Sequence, residues 1–145
     1  MKVRELLKAK GDYTETIEGE KTVKQAMDRM VDKKIGALPV FEKEELAGII
    51  TERDILRLMH KSGAGALLFK VREVMTRKLV VGILEDDIEM VQAIMTNNRF
   101  RHLPIMDGKK MVGIISIGDI VKSHVKNLQI ENRYLIDYIT GKYPA

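Results

Sequence analysis

The chain repeats itself, and this feature limits its possible folds more than any other. Residues 38–55, LPVFEKEELAGIITERDI, align without a gap on residues 103–120, LPIMDGKKMVGIISIGDI, at an offset of 65. Seven of the eighteen positions are identical, and most others keep their character, such as Val40 with Ile105 and Thr51 with Ser116. Upstream, Val23, Ala26, Met27 and Met30 have the spacing that gives a helix one apolar stripe, with Thr22 as its N-cap. Sixty-five residues later Asp87 takes the cap position and Ile88, Val91 and Met95 the matching face. A short extended run precedes each helix, at residues 13–17 and 79–84. Two apolar runs follow it, 38–41 with 46–50 and 103–106 with 111–115, joined by turns of hairpin size at 42–45 and 107–110. A second helix starts after Thr51 or Ser116. Each unit therefore reads β-α-β-β-α.

The lead-ins echo one another as well. Val3-Arg4-Glu5-Leu6-Leu7 resembles Val71-Arg72-Glu73-Val74-Met75 at an offset of 68, so the first repeat carries about three extra residues near 10–12. The expected organisation is a first repeat with its lead-in at 1–62, a linker at 63–70, a second repeat at 71–125 and a C-terminal helical extension at 126–145. Within that extension Leu128, Ile130, Leu135, Ile136 and Ile139 form no clean single stripe, and Tyr134, Tyr138 and Tyr143 could extend an interface or cap a cleft. A unit of roughly 60 residues is marginal alone. Two copies packed pseudo-symmetrically, sheet to sheet, would cover each other's apolar faces in one α+β module. That pairing leaves two related clefts between the copies, where function is expected.

Composition narrows the chemistry. The absence of cysteine excludes a disulfide scaffold, a cysteine nucleophile and thiolate metal sites, and it suits a cytoplasmic setting. His60, His102 and His124 are scattered and argue against zinc. No apolar run approaches the ~20 residues of a membrane span, and residues 1–11 show no signal-peptide stretch, so no membrane partner is expected. A net charge of +4 suits an anionic ligand but falls short of the dense basic stripe of a nucleic-acid binder. No nucleophile with a matched base, Walker loop or metal set is visible, so catalysis is not expected.

The pattern G-x-L-P-V, a polar turn, then h-x-G-h-h-[ST]-x-x-D, resembles the CBS domain. It stands at residues 36–54 and, with arginine in place of the glycine, at residues 101–119, and the resemblance extends from about residue 3 to 122. The ERD ending of the first repeat and the RFRHLP and SIGD of the second resemble small stand-alone CBS pairs, or Bateman modules. That likeness implies a module that binds AMP, ADP, ATP, NAD or S-adenosylmethionine, needs no obligatory cofactor, forms a homodimeric disc and signals to a separate effector protein.

Thr51-x-x-Asp54 and Ser116-x-x-Asp119 read two ways. As capping boxes they satisfy free N–H groups at a helix start. As ligand groups, each carboxylate would accept from a ribose diol while the hydroxyl and helix N–H groups hold a phosphate. In nucleotide-binding relatives one basic residue, three before the proline, touches phosphate, and a second lies two after the partner repeat's Ser/Thr. Carried over, these are Arg101 and Arg53, converging with Ser116, Asp119, His102 and Pro104 on a main site. Met75 and Thr76 match a place where relatives pack adenine, with Val80 and Val81 as its apolar floor. The weaker second site would hold Asp54, Thr51, Thr16 and Ala37, with Gly36 and Gly118 where phosphate-binding bases would stand. The plain alternatives are solvated arginines, a histidine filling the cleft edge and methionines packed in the core. The expected function is an energy or redox sensor. An interaction scaffold with a vestigial cleft is the alternative, followed by an S-adenosylmethionine-binding or nucleic-acid-binding module.

Overall fold

A computed structural model describes residues 1–11 and 13–141. Asp12, in the expected insertion, and Tyr143 lie outside the described residues. Helix α1 (Val3–Lys10) leads into β1 (Ile17–Glu18), α2 (Val23–Lys33), β2 (Ala37–Glu42), β3 (Glu45–Thr51) and α3 (Glu52–Ser62). A 3-10 segment (Gly63–Leu68) and the short α4 (Val71–Val74) follow. The second set is β4 (Gly82–Ile83), α5 (Ile88–Asn98), β5 (His102–Asp107), β6 (Lys110–Ser116) and α6 (Ile117–Ile139). The expected extended runs shorten to two-residue strands, and α6 runs unbroken from the second repeat into the C-terminal segment.

Local chemistry accounts for these boundaries. Thr22 caps α2 through a reciprocal box with Gln25. Asp87 occupies the N-cap of α5 but makes no side-chain cap bond, because its carboxylate pairs with Lys2 at 2.8 Å. The two sheets have the orders β1-β2-β3 and β4-β5-β6, each with one parallel and one antiparallel pair. Their registers match: Ile17 faces Val40, Gly82 faces Ile105, and a bulge follows Val40 in one repeat and Ile105 in the other.

The core forms two clusters. Leu38, Val40 and Ile50 pack with Val23, Ala26 and Met30, while Leu103, Ile105 and Ile115 pack with Ile88, Val91 and Met95. Each cluster is completed by the other repeat's lead-in. Val3 and Leu6 of α1 bury themselves in the second cluster, whereas Val71 and Met75 enter the first. The backbone fixes the exchange: Val3 N–H donates to Asp86 O at 2.9 Å and Val71 N–H to Lys21 O at 2.8 Å. Each sheet's main apolar face is thus covered by its own helices and by a borrowed one, so neither half completes its core alone. Two glycines permit the close approach. A Cβ on Gly48 would stand 2.7 Å from both Met75 Sδ and Thr76 O, and one on Gly113 would stand 2.8 Å from Leu7 Cδ2. Met75, expected against adenine, is therefore a buried core residue. Among the described residues no helix is long and apolar enough to cross a membrane.

Candidate nucleotide cleft

The exchange of lead-ins determines what surrounds each repeat's carboxylate. Thr76 N–H donates to Ile49 O at 2.9 Å and Ile49 N–H donates back to Thr76 O at 3.0 Å, so the chain after α4 is held against β3. This brings the Thr76 hydroxyl to Asp54 Oδ1 at 3.3 Å. Asp54 Oδ2 accepts from Thr51 N–H at 3.0 Å, and Asp54 N–H donates to Thr51 Oγ1 at 3.2 Å, which is a complete capping box. One carboxylate oxygen thus caps α3 while the other meets only a hydroxyl at the cleft wall. The capping and ligand readings are compatible at this position.

The cleft has a volume of about 440 Å³, within the ~300–1,000 Å³ typical of small-molecule sites. Val80 and Ile49 supply apolar lining on the first repeat's side. Opposite them stand Phe100, Arg101, His102 and Pro104, on the run that enters and begins β5. Arg53 crosses the gap, its Nη1 donating to Arg99 O at 3.3 Å. Five basic side chains (Arg53, Arg57, Lys78, Arg99 and Arg101) line the cavity against two carboxylates, Glu52 and Asp54. The N-terminus of α3 adds the positive end of its dipole. Burial and then the charge of Lys10 hold the His102 imidazole below its usual range, outweighing the nearby Glu52 and Asp119 carboxylates.

Thr51, Arg53, Asp54, Thr76, Val80, Arg101, His102 and Pro104 therefore share one cleft, drawn from both expected sites. Ser116 and Asp119 do not line it. They form their own capping box, and Asp119 Oδ2 also receives Lys10 Nζ at 2.7 Å. Lys10 donates to Ile114 O as well, at 2.7 Å. Burial pushes the Asp119 carboxyl up, but the hydrogen bonds and charge of Lys10, with the Ser116 N–H, prevail and leave it below the usual carboxylate range. Val81 is exposed and outside the cleft, Thr16 lines a separate hollow beside Glu18 and Arg72, and Ala37 is buried opposite Thr51 in the sheet.

Of the residues expected to converge on Asp119, Arg53, Arg101, His102, Pro104, Thr76 and Val80 stand in the cleft with Asp54, because the exchange sends residues 76–80 to the first repeat's carboxylate and Lys10 to the second's. The expectation that Asp54 lacks basic company is corrected. Gly36 does line its cleft, but cations arrive from α3, from the end of α5 and from Lys78. Arg57, Lys78 and Arg99 were missed. Arg53 and Arg57, four apart on one helix, carried a readable signal, because that spacing places both on one face.

The CBS domain profile matches residues 11–61 and 71–126. The chain is 39% identical over 127 residues to CBS domain-containing protein CBSX3, mitochondrial, of Arabidopsis thaliana, covering 84% of this chain and 62% of that protein's length. It is 34% identical to CBS domain-containing protein YhcV of Bacillus subtilis, covering 77% and 79%. It also matches 21% of the length of an inosine-5'-monophosphate dehydrogenase of Methanocaldococcus jannaschii, at 36% identity. Among solved structures, a CBS-domain protein from Agrobacterium tumefaciens superposes with a TM-score of 0.82 at 34% identity, covering 85% of this chain and 92% of that one. The CBS domain pair of protein MJ0100, in complex with 5'-methylthioadenosine and S-adenosyl-L-methionine, shares the fold at 21% identity and a TM-score of 0.78, covering 88% and 98%. The paired β-α-β-β-α units, their exchanged lead-ins and these matches establish that the chain belongs to the CBS domain family, as a tandem pair.

Proposed function

We propose that this CBS pair is a regulatory module whose cleft binds the adenosine-phosphate end of AMP, ADP, ATP or NAD. One observation carries the reading: five basic residues line a cavity whose wall presents Asp54 Oδ1, which accepts one hydroxyl, Thr76, at 3.3 Å and keeps capacity to accept another. Asp54 is suited to accept from a ribose diol, Val80 and Ile49 to pack the base, and Arg101 and Arg53 to hold phosphate. The MJ0100 CBS pair, in complex with adenosyl ligands, supports an adenosine-bearing ligand here, and charge discriminates among such ligands. Five basic side chains favour a phosphate over the cationic sulfonium of S-adenosylmethionine.

The basic lining suits holding a phosphate, which supports binding rather than catalysis as the role of the cleft. The bound nucleotide would alter the packing of the two repeats or of a homodimer, and a separate effector protein would read the change. A cytoplasmic setting belongs to this reading, although the Arabidopsis relative bears a mitochondrial name. Thermal unfolding with AMP, ADP, ATP, NAD, NADH and S-adenosylmethionine tests it. A phosphate-bearing ligand at 100 times its Kd should stabilise the protein by about 2.7 kcal/mol. No shift with any of them would transfer the assignment to the scaffold reading.

A further inference from the structure

The long C-terminal helix carries a pattern that the nucleotide cleft does not use. Along α6, Val121, Val125, Leu128, Asn132, Leu135 and Ile139 follow one another in alternating steps of four and three. That is the a/d spacing of a heptad, with Val121, Leu128 and Leu135 at d and Val125, Asn132 and Ile139 at a. All six are exposed, from 47% at Val125 to 81% at Ile139 among the apolar ones. The stripe lies about a third of a turn or more from Ile120, Ser123 and Asp137, the residues buried along α6, so it stays exposed among the described residues.

The composition identifies the occupant. Leucine fills two of the three d positions and β-branched residues two of the three a positions, a composition that favours two strands, and the single asparagine at a fixes register by pairing with its own counterpart. Glu131 at g meets Ile136 at e across a parallel seam, and His124 meets Gln129, so no like charges oppose. An antiparallel seam would set the Asn132 amide in a layer with a d-position side chain, leaving it unmatched. We propose that α6 pairs with α6 of a second copy as a short parallel coiled coil, registered by Asn132. This rests on the homodimer of the proposed function and names the surface that forms it.

The chain contains no cysteine, so an introduced one is a clean reporter. The full-length protein is sized by sedimentation alongside L128E/L135E, with circular dichroism confirming that both are folded. Single-cysteine variants Leu135→Cys and Ile130→Cys are then oxidised mildly. The seam predicts a dimeric parent, a monomeric L128E/L135E, covalent dimer from Leu135→Cys and none from Ile130→Cys, which lies on the outer face at f. A dimer that survives L128E/L135E, or equal cross-linking at both positions, overturns the seam and leaves a dimer through another surface. A monomeric parent overturns both the seam and the homodimer, while the nucleotide titrations judge the cleft separately.

Discussion

Asp54 gives one carboxylate oxygen to the Thr51 backbone and turns the other toward the Thr76 hydroxyl at the cleft wall. Asp119, at the same repeat position, gives Oδ2 to both the Ser116 backbone and Lys10. Equivalent sequence thus produces a cleft-facing acid in one repeat and one paired with lysine in the other. Because the folded Asp119 carboxyl is held below its unfolded value, its contribution to stability is present above the unfolded value and is lost as pH falls through the folded one. Lys10→Ala removes the main support for that shift. It should cost about 1 kcal/mol near neutrality and begin acid unfolding at higher pH, which denaturant melts across pH 2–7 would detect. His102 has the opposite consequence. Its depressed folded pKa means that the unfolded chain takes up a proton first, so stability declines as pH drops below about 6.5. His102→Gln should flatten that part of the stability profile. Phosphate held against His102 would raise its depressed pKa, so ligand binding should also be accompanied by proton uptake in mildly acidic buffer, visible as a buffer-dependent binding enthalpy.

The element that most shapes the site is the borrowed lead-in. Its echo was legible, as Val3–Leu7 over Val71–Met75, but periodicity shows which face of a helix is apolar and not which sheet covers it. For that reason the strands, helices and hairpins of both repeats could be read directly, while the partner of each carboxylate could not. Met75 illustrates the gap, since its residue type suits either a core or an adenine contact and only the exchange places it in the core. The heptad of α6 was hidden for a related reason. Its phase begins at Val121, inside the second repeat, so a window opened at residue 126 samples too little of the stripe. The closeness of the exchanged elements makes an asymmetric prediction. Gly48→Ala drives a Cβ into the Thr76 carbonyl as well as Met75, whereas Gly113→Ala meets only the end of Leu7. The first should cost about 1–3 kcal/mol and the second distinctly less, measured as paired shifts in thermal midpoint. Gly48→Ala should also disturb the cleft by displacing Thr76 from Asp54.

At the scale of the whole molecule, pseudo-symmetry and asymmetry have separate roles. Matching registers and reciprocal lead-ins make the pair one interdependent unit, and the unequal surroundings of Asp54 and Asp119 break its two-fold likeness at the site. A ligand bridging Asp54 on one repeat to Arg101 on the other touches both units, so its binding energy depends on their mutual placement. A module of this kind can report ligand only through the difference in affinity between its two arrangements. Arg101→Ala should therefore weaken phosphate-bearing ligands by about 1.5–3 kcal/mol, roughly ten- to a hundredfold in Kd, while leaving adenosine nearly unaffected. Calorimetric titration of AMP and ATP into the parent protein, Asp54→Ala and Asp119→Ala tests whether the nucleotide binds in the cleft built on Asp54. A nucleotide site on Asp54 predicts saturable binding to the parent and to Asp119→Ala, with binding lost in Asp54→Ala. Binding that survives Asp54→Ala and disappears in Asp119→Ala would contradict it.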